Sequence, residues 1–216
     1  MPDTVTASTP PQAEALLHAP RPTPGLRQLV PVLALTLVLG LGGLFGPSLV
    51  GGTMDMSMSM GMTHYMELLA TNQPLNLLLF MGVPVVLAET LAISEIAMLV
   101  LRPGPAWVAR ANHVAGLLAG PAMLAITLHL LVNAVLPLTA TGGWRGPADV
   151  IAVLTYLSGV VPFVAITLVE LGLVGRTERQ RTRLRALWIS VFLVVAHVAM
   201  IFGMLNPGVL GFAMHH

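Results

Sequence analysis

The chain has 216 residues, 56% of them hydrophobic and only 9% charged, with a net charge of +1 and no cysteine. A soluble domain carries about 25% charged residues, so composition excludes that class and points to a membrane protein, as does a mean hydropathy of +0.85. The missing thiols exclude disulfides and thiolate metal centres, leaving His, Met, carboxylate and backbone as metal ligands, and the small net charge gives no footing for nucleic-acid binding.

Residues 1–25 are rich in Pro, Thr and Ala and are expected to form a disordered cytoplasmic tail. They do not read as a signal peptide, because the apolar run that follows starts late and is long enough to span. Five stretches reach the roughly 20 apolar residues that a membrane helix needs: 26–50, 74–101, 109–136, 150–174 and 184–205. Short connections leave no room for a soluble domain. The expected fold is therefore all-α, a polytopic membrane bundle of five transmembrane helices over 26–206, followed by a short tail at 207–216.

All ten basic residues are arginine. Arg21 and Arg27 precede the first span, Arg102 and Arg110 separate the second from the third, and Arg176, Arg179, Arg181, Arg183 and Arg185 crowd between the fourth and fifth. Arg145 alone falls on the other side. The positive-inside rule then puts the N-terminus in the cytoplasm and the C-terminus outside, with the bacterial cytoplasmic (inner) membrane as the expected location.

The first external loop, 51–73, holds "MDMSMSMGMTHYM" (residues 54–66), with six of the thirteen methionines. Exposed methionines in an oxidising compartment are liable to sulfoxidation, so their accumulation there calls for a reason. Alternating thioethers on a Gly/Ser/Asp backbone can converge on a soft ion and select Cu(I). The candidate ligands are Met54, Met56, Met58, Met60, Met62, His64 and Met66. The plainer reading is a loop whose methionines dip into the headgroup region as flexible hydrophobes.

Ionisable residues inside spans are expensive and are functional candidates by default. Glu89 and Glu95 lie in the second span, His129 in the third, Glu170 in the fourth and His197 in the fifth, with His113 at the start of the third beside Asn112. His197, Met200 and Met204 fall at i, i+3 and i+7, one stripe leading toward the external loop and the terminal Met214, His215 and His216. His129 shares a face with Asn133 and joins this candidate metal set. Ordinary packing is the alternative, with Met as gap-filler and His bonded to a neighbouring helix. Glu89 and Glu95, six residues apart, do not share a face; they bond different neighbours or relay protons. Glu170 is expected to be structural and to reach Arg176 or Arg179. Pro84, Pro121 and Pro162 fall inside spans, where they can kink a helix, and Gly116 and Gly120 form a small-xxx-small contact.

The external "MDMSMSMGM", the Met200/Met204 pair and the Gly116/Gly120 pair resemble elements of the Ctr copper transporters, and the loop is similar to those of bacterial copper-resistance and copper-delivery membrane proteins. Ctr proteins have three spans where five are expected here, so the resemblance implies ligand chemistry alone: external Cu(I) capture, with transport or delivery through the bundle. Expected partners are the lipid bilayer and a periplasmic cuproprotein or other membrane subunits, with an oligomer open. Two alternatives stand beside this. In one, His129 and His197 ligate a b-type haem in an electron-transfer subunit, although helical rise separates them by about 8 Å in depth. In the other, the chain is an accessory or assembly subunit. No phosphate-binding loop, H-E-x-x-H or serine elbow occurs, so a non-enzyme is expected.

Overall fold

The computed structural model describes residues 26–50, 61–101 and 104–207. The 1–25 tail, Met54, Met56, Met58, Met60, and Met214, His215 and His216 lie outside the described residues. Six helical elements follow in order: α1 (Leu26–Phe45), α2 (His64–Ala70), α3 (Leu75–Val100), α4 (Ala106–Thr141), α5 (Pro147–Glu170) and α6 (Glu178–Met204). There is no strand among the described residues. All but α2 are long and apolar enough to cross a membrane, which makes this a multi-pass membrane protein with five candidate spans.

Several boundaries depart from the sequence expectation for identifiable reasons. The first helix stops at Phe45 instead of 50, where Gly46 and Pro47 follow and proline disfavours helical backbone in the residue before it. The expected loop 51–73 contains a helix: Thr63 caps α2, its hydroxyl accepting from Met66 N–H at 3.4 Å and donating to the Gly203 carbonyl at 2.6 Å. α2 buries Tyr65, Leu68 and Leu69 in the bundle core, with Met66 packed against them. α6 begins at Glu178, behind a Thr177 cap. Arg179, Arg181, Arg183 and Arg185 therefore lie on the helix and not in a loop.

α4 is the central helix, packed by α1, α3 and α5, while α6 closes the bundle against α5 and α3. Close approach of α4 and α5 depends on Gly120, where a Cβ would sit 2.7 Å from Thr167 Oγ1. With no Cβ there, the Thr167 hydroxyl accepts from Gly120 N–H at 2.9 Å and donates to the Gly116 carbonyl at 2.7 Å, bridging one turn of α4.

Two π-helical turns interrupt the spans, at Leu78–Gly82 in α3 and Leu131–Val135 in α4. Each precedes a proline, Pro84 and Pro137. Pro84 has no N–H to give to the Phe80 carbonyl one turn back, and the Tyr156 hydroxyl of α5 donates to that carbonyl instead. A backbone acceptor freed by proline is thereby satisfied by a neighbouring helix, as burial in an apolar medium requires.

Candidate functional site

Two polar clusters sit at opposite ends of the bundle. At the end that carries the methionine run, Asp149 lies in the first turn of α5 and is fully buried. Its carboxylate accepts from His64 N–H at 2.6 Å, from the His64 ring Nδ1 at 2.5 Å and from Arg145 N–H at 3.2 Å. An ionised carboxylate only accepts, so His64 must carry its ring proton on Nδ1. Nε2 then has the lone pair in the neutral ring, and it has no partner among the described residues. Arg145 completes the clamp: Nη1 donates to the Met62 carbonyl at 2.7 Å and Nη2 pairs with Glu67 Oε2. Where the methionine run ends, the backbone and the imidazole are thus both fixed.

Below this clamp lie three cavities. The first, about 270 Å³, is lined by His64, Glu67, Arg145, Asn133 and Tyr156 among others. The second, about 280 Å³, is lined by Met81, Glu89, Met123, His197 and Met200. The third, about 170 Å³, is lined by Met66, Met81, Met200 and Met204. Tyr65 lines all three. Its ring packs on Tyr156 at 5.1 Å between centroids, and Gly203 gives it room, since a Cβ there would meet Tyr65 Cδ1 at 2.7 Å. Burial pushes the Tyr65 phenol up to about 12, so it stays neutral.

The sequence-predicted residues divide accordingly. His64, Met66, Met200, Met204 and His197 border three neighbouring cavities that share Tyr65 in their lining, and Met62 enters the clamp through its carbonyl. His129 does not join them. Its Nδ1–H donates to the Gly43 carbonyl at 3.1 Å and its Nε2 accepts from Leu49 N–H at 3.2 Å, so both ring nitrogens are spent holding the end of α1. The ring also stacks on Phe80 at 5.9 Å. His197 Nδ1–H donates to its own helix, to the Leu193 carbonyl at 2.6 Å, and the exposed ring lines the second cavity. No cavity described above is lined by both His129 and His197. Among the described residues, no three His, Asp or Glu side chains converge to hold a metal.

At the other end, Arg185 joins four helices. It approaches Glu95 of α3 at 3.1 Å as an ion pair without hydrogen-bond alignment, and bonds Glu170 of α5 at 3.0 Å and Asn112 of α4 at 3.2 Å. His113 meets the second Glu170 oxygen at 2.5 Å, and Asn112 donates to Ser94 at 2.7 Å. Glu170 is therefore tied to Arg185 and His113 rather than to Arg176 or Arg179. Glu95 belongs to this network, whereas Glu89 faces the second cavity with no ion-pair partner among the described residues.

Sequence reasoning missed Asp149 and the role of Arg185. Asp149 stands 85 residues from His64, at a position where an acidic residue reads as a helix-start preference. Arg185 was absorbed into an arginine cluster, although it is the one deepest in the apolar stretch.

No curated protein and no solved structure matches the chain. The model of a family of unknown function, DUF6803, matches residues 60–216, from the end of the methionine run through α6. That is well over half of the sequence, and the chain belongs to this family.

Proposed function

We propose that this protein handles copper in the bacterial cytoplasmic membrane, capturing Cu(I) outside through the methionine run and passing it to the bundle for transport or delivery to a cuproprotein. The arginine distribution supports putting the Arg185 end in the cytoplasm and the His64 end outside. The observation that carries the reading is the His64–Asp149 pair. A metal-binding histidine typically gives its other ring N–H to a carboxylate, which fixes tautomer and orientation. His64 has that arrangement, with Nε2 unpartnered among the described residues and Met62 two positions before it. Thioether and imidazole together suit Cu(I), and thioethers discriminate against hard divalent ions.

The test replaces Met54, Met56, Met58, Met60 and Met62 with Ser and titrates the purified protein against a chromophoric Cu(I) chelator. The expected result is weaker Cu(I) retention with an unchanged helical spectrum, because no apolar span is touched. Equal retention by the variant and the wild type removes the run from the function.

A further inference from the structure

We infer that Met66, Met81, Met200 and Met204 form a second site for a soft monovalent cation, in the groove between α2, α3 and α6, where Met204 is 66% exposed and the other three are half-buried. This rests on the copper reading above and adds to it an assigned second ligand set. Three separate elements bring the four thioethers to one cavity. Met66 stands on α2, which Thr63 and the His64–Asp149 pair anchor to α6 and α5. Met81 lies within the π-helical turn of α3. Such turns shift the side-chain register of a helix and recur at functional sites. Met200 and Met204 are one turn apart on α6.

Methionine in a core normally serves to fill gaps. Here four flexible side chains border about 170 Å³ that they leave open. The chemistry suits the location. A bare cation in an apolar groove needs ligands that replace its water, and neutral polarisable sulfur does so for Cu(I) or Ag(I) but poorly for Zn(II) or Mg(II). Met81 and Met200 also line the second cavity, where Glu89 and His197 stand. An ion leaving the four-sulfur site by that side meets the His197 imidazole and the Glu89 carboxyl group, which stand exposed beside the second cavity, the latter with no ion-pair partner among the described residues.

The experiment uses Ag(I), a soft ion that does not change oxidation state, on full-length protein in nanodiscs. Silver is counted by mass spectrometry after passage over a thiol resin. The wild type, the five-Ser variant of the external run, and the five-Ser variant carrying Met81→Leu and Met200→Leu are compared. Leu conserves volume, so packing changes little. The inference expects the five-Ser protein to keep silver and the added Leu pair to lose it. X-ray absorption of the silver-loaded five-Ser protein provides a readout that does not depend on the Leu variant folding, and a sulfur shell is expected there. Silver lost entirely with the five serines, silver kept despite the Leu pair, or a shell of nitrogen and oxygen alone each overturns the four-methionine site while leaving external capture standing. A wild type that keeps no silver overturns the copper reading and this site together.

Discussion

His64 and His129 are both histidines near the methionine end, and their hydrogen bonds give them different fates. Asp149 takes one nitrogen of His64 and leaves the other; Gly43 and Leu49 take both nitrogens of His129. Asp149→Asn keeps the volume but sets an amide donor against one of the three N–H groups that now share the carboxylate. Loss of a carboxylate behind a ligating histidine typically costs 10–100-fold in metal affinity, and a drop of that order in Cu(I) affinity is expected by chelator competition. His129→Leu should act on stability alone. It strands the Gly43 carbonyl and the Leu49 N–H, at about 1–3 kcal/mol for each buried group left unpaired. A lower thermal midpoint with unchanged copper content is expected. Neither outcome was legible from the sequence, because partners 80 to 86 residues away decide what each imidazole does.

Among the elements, the spans were legible because hydropathy and length dictate them. The helix α2 was not, since seven residues give too little periodicity and its start is set by a cap to α6. Prolines within spans announce a break but do not say how it is resolved. In α3 the resolution is a π-helical turn and a hydroxyl from α5, and that turn contains Met81. Tyr156→Phe removes the donor and leaves the Phe80 carbonyl unpaired in an apolar interior. A loss of about 1–3 kcal/mol is expected, read as a lower unfolding midpoint, together with weaker silver retention if α3 shifts Met81. An unchanged midpoint would mean that the Phe80 carbonyl needs no partner from α5.

At the scale of the whole molecule, charge is segregated along the bundle axis. Among the described residues Arg145 is alone at the methionine end, paired with Glu67, while Arg110, Arg176, Arg179, Arg181, Arg183 and Arg185 gather at the other. Arginine counting made that asymmetry visible, but it did not separate surface charges from Arg181 and Arg185. Arg181 donates to the Gly175 carbonyl at 2.9 Å, and Arg185 ties four helices together. A reporter fused after His216 should be active only outside the cytoplasm; activity inside would place the methionine run in the cytosol and remove the case for external capture.

The most direct measurement is made on the native protein, purified without added metal from cells grown with copper. Metal content and the absorption spectrum are recorded on the same sample. Copper capture predicts copper bound in a defined ratio to the chain and no Soret band, in keeping with His129 being spent on α1. A Soret band in a copper-free sample would contradict it and return His197 to the haem reading.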